Sequence, residues 1–494
     1  MDICRRTFGA ALVSYLGARR LTAVPRSKLF VLIVLEEFSA DSLDPLLPVL
    51  NPGGFRKLLE HGAHFPDCRH AASAFSATSI ATLATGAWPS QHGIVADSWF
   101  DRALKKVVFA SEEALDATTL AAQVAAEDGA RVHVIAGSAA QAGIFAGSRD
   151  ADVLWMDNTG QFVARGQAPE WLAEFNTRTS PDNLHDAKWM ALGAKPDAPA
   201  LRTLTYDQNH PGQFHALYRS SYFAQAATFD LLRECIVREQ LGQNGGLDFV
   251  CVISNASALL GYEIGAHSPL MQQMILQLDR QIETLLADLG RALGETGFAL
   301  ALAGGHGAPP EPLAGRRARM VVNGETLARN LATALATNRP GASERPVQKY
   351  VYPFLYLDTS GSRDPEPLRL AAARAAIEYP AVANYYTAGG ACSATGEWRR
   401  RFRNSFHVKR SGDAMLSYRP EYIEDSGLGR GVSYGSLYNY DVRVPLFFYG
   451  PPFRPGVYES PVESVDVAPT LARVMGVAAP SSSVGRVLGE AVID

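Results

Sequence analysis

Two patterns of apolar and polar positions run through this chain. The first is the unbroken apolar run. Leu29–Leu35 (LFVLIVL) is continuous and rich in β-branched residues, which predicts a strand buried on both faces, as in a parallel sheet. Val132–Ala136, Leu247–Ile253, Phe298–Leu302 and Tyr350–Leu357 predict further strands. The second pattern is helical spacing. Met271, Ile275, Leu278, Ile282, Leu285 and Leu289 mark a long amphipathic helix, and Phe223, Ala227, Leu231 and Cys235 give Ser220–Leu241 a core-facing stripe. Phe55–His61, Ser76–Thr85 and Pro365–Glu378 predict shorter helices, and the closing segments Tyr438–Gly450 and Val465–Val477 read as strand, loop and helix. Gly137–Gly147 reads as a loop. Residues 150–215 are rich in Trp, Asn, Asp, Pro and Gly and read as a loop-heavy insertion over one end of the sheet. Residues 340–430 read as a second insertion or cap. The strand–helix alternation predicts an α/β fold, a three-layer α/β/α sandwich with loop-rich insertions.

Composition adds bounds. The chain has 494 residues, 47% hydrophobic and 19% charged, a globular balance with length for a large core. A net charge of -4 argues against nucleic acid as a partner. No apolar run approaches the roughly 20 residues that span a bilayer, so no membrane span is expected. At the N-terminus, Arg5-Arg6, Phe8 and the apolar stretch Gly9–Ala18 have the form of a twin-arginine export signal over residues 1–28. That predicts a periplasmic or extracellular protein; the alternative is a frayed basic leader. Of the five cysteines, Cys4 would leave with the signal. Cys68, Cys235, Cys251 and Cys392 leave room for one disulfide and show no zinc-knuckle spacing.

Candidate chemistry gathers in Ala74–Asp101, AFSATSIATLATGAWPSQHGIVADSWFD. Ser76 stands among small residues at the start of a predicted helix. Small residues let a ligand approach the backbone, and the unpaired N–H groups of a helix N-terminus favour an anion. Ser76 therefore reads as a phosphate-attacking nucleophile or as a plain N-cap. Glu36 and Glu37 follow the first strand directly. The carboxyl ends of strands are where open α/β sheets place their sites, although a solvated strand end has the same look.

The register Ser76, Thr85-Gly86, Pro89, His92-Gly93-Ile94 resembles the alkaline phosphatase superfamily, in its type I phosphodiesterase/nucleotide pyrophosphatase branch, and most of all the phosphate-irrepressible periplasmic alkaline phosphatases. The resemblance runs from Leu29 to the C-terminus and implies an alkaline-phosphatase-like domain over residues 29–494. It also implies two zinc ions, one polarising the nucleophile and one binding a substrate oxygen, each with about three or four ligands. Position by position, this chain departs from that set. The first zinc's ligands fall on Ala258, Tyr262 and Tyr434, and the two tyrosines can fill the vacated space and bond each other. The second zinc's ligands fall on Glu36, Ser76, Gly305 and His306, so one carboxylate is missing. The phosphate-holding Lys-x-Arg pair falls on Ala139 and Gln141, and the phosphate-binding Asn on Asp97, whose charge would repel phosphate.

Three readings follow, the last a purely structural envelope protein. In the first, the protein is a pseudophosphatase without the binuclear centre, binding a small molecule or protein and needing no cofactor. In the second, it is an active hydrolase in which Glu36, Ser76 and His306 hold a single zinc, or work without metal as a Ser-His-Glu arrangement suited to esters. His64, His70, His210, His215, His267 and His407 are scattered and read as surface or core histidines.

Overall fold

Leu29–Leu35 forms the centre of the structure, with every residue buried. Its alternate side chains divide between two cores. Phe30, Leu32 and Val34 join one hydrophobic cluster, and Leu29, Val31, Ile33 and Leu35 join the other. A strand that is apolar throughout has two faces to cover, and helices cover both. The structure is a computed structural model that describes residues 27–147, 150–195, 197–309, 320–338, 346–360, 362–420, 422–425, 431–432 and 434–493. Apart from Ser27 and Lys28, the expected export signal lies outside the described residues.

The central strand pairs in parallel with Asp248–Ser254 on one side and Phe298–Gly304 on the other. The sheet continues through Arg131–Ala136 to Asp152–Met156, also parallel. In the other direction Arg443–Tyr449 and Ala63–Arg69 run antiparallel to their neighbours on the central side. Among the described residues the sheet has ten strands. Ser76–Thr85, Ala139–Ala146 and Val467–Met475 pack on one face, and Phe55–His61, Tyr222–Arg238 and Pro269–Leu293 on the other. The three-layer α/β/α sandwich is thus the observed fold.

Three segments differ from the sequence reading. Gly137–Gly147 is largely a helix, Ala139–Ala146. Ser138 caps it by accepting from the Gln141 N–H, and Gly147 ends it in the left-handed conformation. Residues 150–215 begin as two strands, Asp152–Met156 and Phe162–Ala164, that complete the sheet edge. Their short alternating runs were hidden by the surrounding loop-type composition. Tyr350–Leu357 is a hairpin, Val347–Val351 and Phe354–Leu357, because Pro353 has no N–H to extend one ladder. With Ala414–Tyr418 and Val382–Thr387 that hairpin makes a separate four-stranded sheet. The sheet has its own core against the helices Gly324–Asn338 and Glu366–Ile377. Cys68, Cys235, Cys251 and Cys392 are all free thiols, so the disulfide option is not taken. No helix of the described residues is long and apolar enough to cross a membrane.

Candidate functional site

The candidate residues converge at the carboxyl end of the central strand. The backbone ladder sets Glu36 there: its N–H donates to Ser254 O at 3.0 Å, while Gly305 N donates to Leu35 O at 2.7 Å. Glu36 is almost wholly buried, at 2% exposure. Ser76 opens the helix Ser76–Thr85, whose C-terminus is fixed by Gly86 in the left-handed region at φ +65°. A Cβ on Gly86 would meet Ser483 Oγ at 2.4 Å, so the Thr-Gly of the motif is required by the turn. His92 braces the same helix. Its Nδ1 accepts from Ile94 N at 3.1 Å, which leaves Nε2–H to donate to Thr82 Oγ1 at 3.1 Å. The His-Gly-Ile signature is thus scaffolding behind the site.

Around Ser76 the hydrogen bonds form a connected set. The Ser76 hydroxyl donates to Glu36 Oε1. Gln141 Nε2 donates to Glu36 Oε2 at 2.6 Å and reaches Ser76 Oγ at 3.5 Å. Asp97 Oδ1 accepts from the Ala77 N–H at 2.9 Å and so caps the helix that Ser76 begins. The Tyr434 hydroxyl also bonds to Asp97. Burial pushes the Glu36 carboxyl up to about 8; the Ser76 bond works against this, the Asp97 charge adds to it and the Gln141 bond opposes it. Withdrawal from water likewise lifts Asp97 to about 6, against the Ala77 and Tyr434 bonds.

His306 is close by but differently engaged. Its Nδ1 donates to its neighbour Gly307 O at 2.8 Å, and its ring stacks on Tyr434 at 4.2 Å between centroids. Its Nε2 is buried with no hydrogen-bond partner. Burial lowers the imidazole to about 4, so the ring is neutral. The expected Ser-His-Glu order is therefore not formed, because the Ser76 hydroxyl goes directly to Glu36 and His306 lies on neither bond. Of the two tyrosines, Tyr434 bonds Asp97, and Tyr262 lies close enough to act on Tyr434.

The remaining positions supply no metal-binding side chain. Ala258 is buried on the helix Ala256–Ile264, with half-buried Tyr262 one turn on. At Gly305 an added Cβ would lie 3.4 Å from Glu36 Cγ, an ordinary contact, so the site has room for the missing side chain there. Two carboxyls, one hydroxyl and one imidazole nitrogen do not suit a pair of zinc ions. Among the described residues no three His, Cys, Asp or Glu side chains gather as a metal requires. Of the other histidines, His64 stacks on Phe447, His210 pairs with Asp207 and His407 with Asp116, whereas buried His70 bonds Gly304 O at 3.3 Å and lies near enough to His306 to lower its imidazole. Ala139 sits on the Gln141 helix and brings no charge.

Two features were not legible from residue type. Gln141, read only as a lost phosphate clamp, is the second partner of Glu36. Glu37 turns at φ +52°, and a Cβ on Gly261 would fall 1.7 Å from its Oε1, so Gly261 makes room for that carboxylate.

A three-layer α/β/α sandwich with a serine at the head of a helix, beside an acid at the end of the central strand, defines a hydrolase-type scaffold of the alkaline phosphatase superfamily. The chain belongs to the type I phosphodiesterase / nucleotide pyrophosphatase family, whose sequence profile matches residues 30–423. It is 23% identical to alkaline phosphatase PafA of Elizabethkingia meningoseptica, with 98% of each chain covered. It is 24% identical to alkaline phosphatase PhoV of Synechococcus elongatus, over 94% of this chain and 93% of that protein. The crystal structure of wild-type PafA superposes with a TM-score of 0.83 at 21% identity, covering 95% of this chain and 100% of the other, which establishes a common fold.

Proposed function

We propose that this chain keeps the family scaffold, has lost the two-zinc centre, and acts as a binding protein, a pseudophosphatase, through the site at Ser76. The observation that carries this reading is the Asp97 carboxylate on the Ala77 N–H. A helix N-terminus beside a nucleophile is where an incoming anion finds its donors. Here a fixed anion of the protein takes that donor. Support also comes from Glu36, whose two oxygens are engaged by Ser76 and Gln141 rather than turned to a metal. The Arg5-Arg6 pattern supports action outside the cytoplasm after export. The test is turnover of an aryl phosphate by protein purified with zinc present, compared with Ser76→Ala. The reading expects the two proteins to be indistinguishable; turnover that vanishes in Ser76→Ala overturns it.

One observation favours a second reading, a metal-free esterase: the Ser76 hydroxyl donates directly to a carboxylate. In that chemistry Ser76 Oγ attacks the ester carbonyl, its proton passes to Glu36, and Glu36 returns it to the departing alcohol. Water then releases the acyl group by the same route. Turnover of an aryl acetate that is lost in both Ser76→Ala and Glu36→Gln supports it; activity that survives either change rejects it.

A further inference from the structure

Resting on the reading above, we infer that the ligand taken at Ser76 is a small organic cation carrying N–H donors, a primary ammonium group, and not a phosphate. The groups around the serine are mostly acceptors. Glu36 accepts from the Ser76 hydroxyl, and Asp97 accepts from the N–H of the next residue, Ala77. Among the described residues, the charge that acts on Glu36 is another acid, Asp97, and no lysine or arginine is among the groups that act on either. At neutral pH the Glu36 carboxyl, raised to about 8, is largely uncharged and Asp97, at about 6, carries the charge, so an anion here would meet like charge at Asp97 and an ammonium its complement.

A second, independent observation points the same way. Gln141 is 5% exposed, and its Oε1 has no hydrogen-bond partner. Its own Nε2 is held on Glu36 and Ser76, so the unpartnered oxygen belongs to the same cluster. A buried amide oxygen left without a donor is unfavourable, and a ligand N–H arriving beside it relieves that cost. Ser76, Asp97 and Tyr434 are each half-buried, so the cluster opens to solvent on their side. Gly305 leaves space beside Glu36 where a larger residue would intrude.

The test is calorimetric titration of the full chain with ethylammonium chloride and, separately, with inorganic phosphate, at matched ionic strength. The inference expects saturable binding of ethylammonium, weakened at least tenfold in Asp97→Asn, and no binding of phosphate. Gln141→Leu is the second variant, used if Asp97→Asn fails to fold, and it too must weaken ethylammonium binding. Saturable phosphate binding without ethylammonium binding overturns the inference, as does ethylammonium binding that neither variant changes. Zinc content measured on the same sample separates the two claims. Bound zinc pairs reject the binding-protein reading itself, whereas phosphate binding to zinc-free protein rejects only the choice of ligand.

Discussion

Asp97 does two jobs, and its substitutions separate them. Its Oδ1 caps the helix through Ala77, and its charge acts on Glu36. Asp97→Ala loses the cap and should cost about 1 kcal/mol, read as a lower urea midpoint. Asp97→Asn keeps an acceptor oxygen and should cost less than the alanine. His92 makes a different point. It is fully buried, and burial holds its imidazole down to about 3, with the charges of His407 and Arg410 acting in the same direction. A histidine lowered on folding is protonated more readily in the unfolded chain. Its contribution is therefore present above the ordinary value near 6.5 and is lost as pH falls from there toward 3. His92 should thus contribute a drop in stability between pH 7 and pH 5, against the raised Glu36 and Asp97 carboxyls, which gain as pH falls over the same range. In His92→Asn that drop should be smaller, from a lower starting stability, as followed by urea unfolding at the two pH values. An unchanged pH slope would remove His92 from the account.

At the scale of elements, the Ser76 helix depends on how it stops. Gly86→Ala places a Cβ at φ +65° against Ser483 and should destabilise by roughly 1–2 kcal/mol, measured as a fall in melting temperature. The same helix shows what the sequence made legible. Leu29–Leu35, Phe55–His61 and Ser76–Thr85 have the predicted bounds, because an unbroken apolar run and a helical stripe are local signals. Where side-chain composition and backbone signals conflict, the reading fails. The Gly137–Gly147 segment looks loop-like by its glycines and alanines, yet Ser138 and Gly147 punctuate a helix. The positions of Glu36, Ser76, Gln141, Asp97, Tyr434 and His306 near one another followed from the family register. Their hydrogen bonds did not, because the partners are 40 to 105 residues apart for Glu36 alone, and which oxygen meets which donor is settled only by packing.

For the molecule as a whole, the small sheet must be fastened to the sandwich, and Asp413 does this. Buried at 1% exposure, it accepts from Leu357 N at 2.8 Å and Arg369 Nε at 3.0 Å within the small unit. It also pairs with Arg102, in the turn after Ser98–Asp101 of the main unit. Asp413 is buried but its arginine partners reach solvent, so the main loss in Asp413→Ala is the acceptor of the buried Leu357 N–H, and the change should cost about 1–3 kcal/mol. Limited proteolysis should then cut first between residues 346 and 420 while the sandwich survives. Equal resistance of variant and wild type would show that the junction lies elsewhere.

We propose throughout that the family scaffold persists around a site unsuited to two divalent ions. Equilibrium dialysis of the metal-free protein against micromolar zinc, with the metal counted per chain, tests it most directly. The account predicts fewer than two zinc ions per chain and no loss of whatever is bound in Ser76→Ala beyond the wild-type scatter. Two tightly held ions per chain, with one released by Ser76→Ala, would contradict it.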